Sequence, residues 1–234
     1  MCIRDRYLNA LIPQEETTIL LWAIQQGRTQ AARDLIRCKE VDIEKQGIQR
    51  RKWRKHKITP LGCTAITGNT RLAILLHKRR KARLDAPMEK GRTALWYACY
   101  YEQIEMIRYL LSKGADVHIA NDKGKTILMK ICKDGLEQSL QELLQWPIKI
   151  NQTDNQGDTP LHYAARQGQD RIIKYLLKKG AKIRTNKNGL TPLEEAGRLG
   201  QAAFCHSLIG NPTSPRGKTH ISARSRKRED WHAQ

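Results

Sequence analysis

The sequence predicts an all-α solenoid of about six helix-turn-helix repeats with short β-hairpin fingers. Three observations carry that reading. A phrase opening on Thr recurs about every 33 residues. A Gly stands nine residues after that Thr in five of six copies, and a Leu stands seventeen residues after it in all six. Leu, Ile and Ala supply most of the apolar content, with one Phe and 6% aromatics, which suits helices packed through aliphatic and small side chains.

The clearest copy is DTPLHYAARQG, from Asp158 to Gly168. Anchored on its Thr, the phrase starts at Thr18, Thr59, Thr93, Thr126, Thr159 and Thr191, in steps of 41, 34, 33, 33 and 32 residues. The Thr side chain suits a helix N-cap, and Pro suits the next position because its missing N–H has no helical partner. Leu and Ala then fall on one helical face. The Gly (Gly27, Gly68, Gly135, Gly168 and Gly200) suits a left-handed C-terminal turn. A second helix follows, as in RIIKYLLKKG, carrying the repeated Leu: Leu35, Leu76, Leu110, Leu143, Leu176 and Leu208. Turn chemistry such as DNQG, Asp154 to Gly157, then leads back to the next Thr. One helix pair cannot bury its own apolar face, so roughly three or more must stack to make a continuous core.

Thr-Pro-Leu-His-x-Ala at Thr159 to Ala164, with Gly-Ala-Asp-Val at Gly114 to Val117 and GAKIR at Gly180 to Arg184, resembles the ankyrin repeat family over roughly residues 16–210. The motif His survives only at His162, and the terminal Gly of the second helix is replaced by Lys39, Arg80 and Pro147 in three units. The resemblance implies a non-catalytic protein-binding module that recognises partners through finger tips and a concave face of first helices. By register, the finger candidates are Glu89, Lys90, Arg92, Asp122, Lys123, Lys125, Asn155, Gln156, Asp158, Lys187 and Asn188. The groove candidates are Tyr100, Tyr101, Lys133, Arg166 and Gln167, where exposed tyrosines make good contact residues.

Charge is uneven. The chain carries +20 in total, which predicts anionic partners and a monomer that resists self-association. Residues 45–92 hold fifteen Lys/Arg against two Asp/Glu. The long first step, 41 residues, places its excess just before Thr59, so RRKWRKHK is expected on an enlarged finger. It supplies Arg50, Arg51, Lys52, Trp53, Arg54, Lys55 and Lys57. HKRRKAR, ending the second helix of the same unit, adds Lys78, Arg79, Arg80, Lys81 and Arg83, expected on the same side. This patch makes nucleic acid or another anionic surface the rival partner to a protein with an acidic face, with Trp53 available for stacking. The bland alternatives are a solvated loop and a basic helix end that complements the helix dipole.

Other features exclude function classes. No phosphate loop, GxSxG elbow, HExxH or GxGxxG segment occurs, so the chain reads as no enzyme, without metal or cofactor. The six Cys form no CxxC pair, which favours a reducing, cytoplasmic setting. Cys99 and Cys132 share a buried repeat position and read as core thiols, and His162 reads as a structural hydrogen-bonding residue. No apolar run approaches the ~18 residues of a membrane span, and no secretory signal opens the chain. A secreted effector imitating host ankyrin proteins is a third reading. MCIRDR reads as translated sequencing-adapter residue, which makes residues 1–15 an expected non-native start. Residues 211–234, rich in Ser, Arg and Lys, read as a basic disordered tail.

Overall fold

The computed structural model describes residues 9–12, 16–51 and 54–198, with backbone alone for 49–51 and 54–56. The adapter-like start, Lys52, Trp53, Leu208 and the basic tail lie outside the described residues. A short antiparallel pair, β1 (Leu11–Ile12) and β2 (Thr17–Thr18), precedes the first helix pair, α1 (Ile19–Gln25) and α2 (Thr29–Arg37). The hairpin β3 (Gly47–Arg51) and β4 (Arg54–Ile58) leads into α3 (Pro60–Thr67) and α4 (Thr70–Arg80). Three further units follow: α5 (Ala94–Tyr100) with α6 (Ile104–Ser112), α7 (Ile127–Asp134) with α8 (Glu137–Leu143), and α9 (Pro160–Arg166) with α10 (Asp170–Lys178). The helix α11 (Pro192–Arg198) opens another. First helices pack on first helices of the next unit, and second helices on second helices, which makes the array a helical repeat solenoid.

The local chemistry repeats with the sequence. The Thr18, Thr59, Thr93 and Thr126 hydroxyls each accept the amide N–H three residues on, as N-caps do. At the end of each first helix, the N–H ten residues after the Thr donates to the carbonyl five residues after it. The pairs are Arg28–Ala23, Asn69–Thr64, Gln103–Ala98, Leu136–Ile131 and Gln169–Ala164. That closure needs a left-handed residue just before it. Gly27, Gly68, Gly135 and Gly168 supply it, with φ from 62 to 77°. In the one copy without Gly, Glu102 takes φ 51° all the same, and its carboxylate accepts the Gln138 N–H.

The core follows the register. Leu76, Leu110, Leu143 and Leu176 are fully buried, each such side chain contributing about 1.5–3 kcal/mol of apolar burial, while Leu35 in the first unit is half-buried. Cys99 and Cys132 are fully buried, and burial pushes both thiols above their ordinary range. His162 is buried too. Its Nδ1 accepts the Thr159 N–H at 3.1 Å, so Nε2 carries the proton and donates to the Leu190 carbonyl at 3.1 Å, joining two units.

Two units that lack the terminal glycine are closed by a cation from the next unit. At the end of α2, the Arg80 guanidinium donates to the carbonyls of Ile36 (3.1 Å), Cys38 (2.5 Å), Lys39 (3.2 Å) and Val41 (2.8 Å). After α8, Lys179 Nζ donates to the Leu144 carbonyl at 3.0 Å. Orphan carbonyls at a helix end need partners, and a basic side chain serves where no left-handed turn forms. In the unit of Arg80 itself, Lys81 takes the left-handed conformation (φ 52°) one residue later than the register predicts.

Candidate interaction surface

The fingers are built by one recurring turn. Asn121, Asp154 and Asn186 each start it, accepting with Oδ1 the N–H groups two and four residues on. Gly124, Gly157 and Gly189 close it with φ of 73, 79 and 72°. Successive fingers are tied together through the main chain. Asn155 N–H donates to the Lys123 carbonyl at 3.1 Å, Lys187 N–H to the Gln156 carbonyl at 2.9 Å, and the Asn155 side chain to the Asp122 carbonyl. In the finger at 89–91 the starting residue is Met88, with no side-chain acceptor for those amides. There both Lys90 (φ 61°) and Gly91 (φ 66°) are left-handed.

The structure sorts the predicted finger residues. Lys90, Asp122, Lys123, Asn155, Gln156, Lys187 and Asn188 are exposed, and Glu89, Arg92 and Lys125 are half-buried. Asp158 does not stand at a tip. It is 3% exposed, accepts from Asn186 Nδ2 at 2.8 Å and pairs with Arg166 at 2.6 Å.

Arg166 is also not a free groove residue. Its guanidinium bridges Asp158 and Glu195, the latter at 2.5 Å and itself buried. Burial opposes the Arg166 charge, but the two carboxylates outweigh it and hold the guanidinium above its ordinary range. Asp154 is buried as well, accepting the Tyr163 hydroxyl at 2.7 Å. Burial first, and then this carboxylate, push the Tyr163 phenol up.

The remaining groove candidates divide. Lys133 and Gln167 are exposed. Tyr101 is half-buried against the core. Tyr100 stacks on Trp96 with ring centroids 5.1 Å apart and 20° between planes. Beside this pair lies a cleft of about 240 Å³ between three units. Lys90, Arg92, Lys125, Lys130 and Lys133 surround it, and Trp96, Met129 and Tyr163 form its apolar wall. The Arg92 guanidinium lies 4.2 Å over Trp96, and Lys125 Nζ lies 5.1 Å over Tyr163. Lys130 is neutralised by Asp134 at 2.5 Å. Among the described residues, Lys90, Arg92, Lys125 and Lys133 have no carboxylate partner.

Sequence reasoning missed Lys130, Tyr163 and Trp96 as surface chemistry. The signal was present: they stand 33 or 34 residues apart at adjacent repeat positions, so stacking sets them side by side.

The basic stretch lies on the β3–β4 hairpin. Its register places Arg50 opposite Lys55 and Arg51 opposite Arg54. Lys57 is exposed, and Gly47 at the base sits where a Cβ would come within 2.9 Å of Thr17 Cα. Gln46 Nε2 donates to the Pro87 carbonyl and Glu44 accepts the Arg83 N–H, so the hairpin base adjoins the segment after α4. There Lys78, Arg79, Lys81 and Arg83 are exposed, whereas Arg80 is engaged by the carbonyls at and after the end of α2.

The family model for ankyrin repeats (three copies) matches residues 20–121 and 128–219. The chain belongs to the ankyrin repeat family. Its ankyrin repeats are similar to those of mouse ankyrin repeat domain-containing protein 63, at 30% identity over 136 residues, 54% of this chain and 35% of that protein. The human protein of that name is 28% identical over 152 residues, 61% of this chain and 39% of its own length. Mouse protein fem-1 homolog A-like is 36% identical over 97 residues, 42% of this chain and 15% of the relative. The chain thus spans well under half the length of these relatives. No helix among the described residues is long and apolar enough to cross a membrane.

Proposed function

We propose that this ankyrin repeat chain is a non-catalytic, intracellular, monomeric binding module for a protein with an acidic face. It engages that partner through the fingers and groove of the third to fifth units. The observation that carries this is how charge is divided there. The carboxylates of Asp154, Asp158 and Glu195 are buried and paired internally, while Lys90, Lys123, Lys133 and Lys187 are exposed, with Asp122 the exposed carboxylate among the finger candidates. A cationic face of this kind speeds encounter with an acidic partner and disfavours basic ones. The test is affinity capture from the native host at low and high salt, run beside a variant with Lys90, Lys123, Lys133 and Lys187 changed to Glu. The variant should lose the salt-sensitive partners. An unchanged set of captured proteins would refute the proposal.

The nucleic-acid reading rests on a different observation. Arg50, Arg51, Arg54 and Lys55 stand on the paired strands β3 and β4, and an anionic polymer would complement that run of charge. Generic DNA or RNA should then bind with a log–log salt slope of several units. Changing Arg50, Arg51, Lys52, Arg54 and Lys55 to Ser should abolish the binding. Absence of binding at physiological salt removes this reading.

A further inference from the structure

The cleft beside Trp96 joins features that a general cationic face does not require. At about 240 Å³ it is smaller than pockets built for cofactors, and of a size for one side chain. Its rim carries four positive groups with no carboxylate partner among the described residues. Two of them are held against aromatic faces, Arg92 over Trp96 and Lys125 over Tyr163, so their positions are fixed before anything binds.

The finger on its rim is strained in a way the others are not. In three fingers only the closing Gly is left-handed, but here Lys90 also takes φ 61°. An L side chain in that conformation is disfavoured. Gly would occupy the position without cost, and Lys stands there pointing a charge at the cleft rim. Strain retained at a ligand-facing position is a mark of use.

We infer that this cleft seats a phosphotyrosine side chain of a protein partner. The aryl ring lies against the half-buried Trp96, and the phosphoryl group meets Lys90, Arg92, Lys125 and Lys133. A phosphoryl group brings about −1.5 to −2 charges and three acceptor oxygens, which answers several cations at once where a single carboxylate answers fewer. This rests on the protein-binding reading above and narrows it to one recognised group.

The experiment titrates the whole chain with three degenerate peptide libraries that share acidic flanks and differ at the centre: phosphotyrosine, tyrosine or phosphoserine. The phosphotyrosine library should bind at least about tenfold tighter than the tyrosine library, as expected for new charge-assisted hydrogen bonds. It should also bind tighter than phosphoserine. Lys90→Gly removes the charge and relieves the strain, so it should melt no lower than the parent while erasing most of the phosphate preference. Lys125→Gln and Lys133→Gln should each weaken the same library severalfold, and Lys174→Ala, on the exposed side of α10, should not. Equal binding of the tyrosine and phosphotyrosine libraries overturns the inference but leaves the acidic-partner proposal standing. Failure of all three libraries counts against both. Equal affinity for phosphoserine removes the aromatic part, and with it the assignment. Displacement of the bound peptide by a generic single-stranded oligonucleotide would assign the cleft to nucleic acid instead.

Discussion

Replacing Arg80 by Met isolates the role of a borrowed cap. The substitution keeps an unbranched stem and deletes the guanidinium, which donates to four carbonyls of residues 36–41. At about 1.5–3 kcal/mol for each bond from a charged donor, four bonds set a ceiling of about 6–12 kcal/mol. Arg80 is only half-buried, so water regains the carbonyls and the expected loss falls well below that ceiling, at about 2–3 kcal/mol. In a linear array stability divides into unit terms and neighbour terms, so the loss falls on the first unit and not on the whole stack. Native-state hydrogen exchange is the fitting assay. Amides of residues 29–43 should exchange about 30- to 150-fold faster, the conversion of that energy at 1.4 kcal/mol per tenfold. Amides of α7 and α9 should keep their protection. Arg80→Lys should fall between, because one ammonium cannot span four acceptors. Unchanged protection over 29–43, or an equal rise in every helix, would refute the reasoning.

Three further outcomes are expected. Leu143→Ala should destabilise by about 2–5 kcal/mol, because the residue is fully buried in the α8 seam; a small shift in denaturant midpoint would mean the seam collapses around the void. Asp85 has its folded pKa raised, first by burial and then by the Asp116 charge, against the Asp116 N–H that favours the carboxylate. A raised acid favours folding only at low pH, and its contribution is lost as pH rises through the folded value. Asp85→Asn should therefore raise the melting temperature near about pH 7, with the gain shrinking near about pH 3; a gain independent of pH would contradict the assignment. Cys99 and Cys132 should resist alkylation in the native protein and label on unfolding, since burial holds both thiols protonated; mass spectrometry of peptides from native samples reads this directly.

Much of the fold was legible because it depends on local chemistry repeated at a fixed step. Thr caps, left-handed closures and the Leu of each second helix are decided within about twenty residues, and the array reuses them. Even the copy with Glu102 in place of Gly obeyed the register, because packing on the next unit fixes that turn regardless of residue. The surface was less legible because it is decided by reach across units. Arg166 occupies the same slot as Tyr100 and Lys133, yet its side chain finds Asp158 and Glu195, the latter 29 residues away. Asp158 sits at a finger by register and is drawn inside by Asn186. Arg80 reads as part of a charge run when only its neighbours are counted. The carbonyls it satisfies lie 39 to 44 residues back, where a missing Gly created the need for it. The aromatic and basic side chains around the cleft come from three units, and no single phrase contains them.

The amide links from Asn155 to Lys123 and from Lys187 to Gln156 turn separate projections into a graduated ruler. Its divisions are set by peptide geometry, so substitution can change what each mark grips while the distance between marks stays fixed. A binding surface that touches two marks must match that interval from the outset. Selection on this chain can therefore rewrite preference residue by residue without redrawing the scale on which partners are measured.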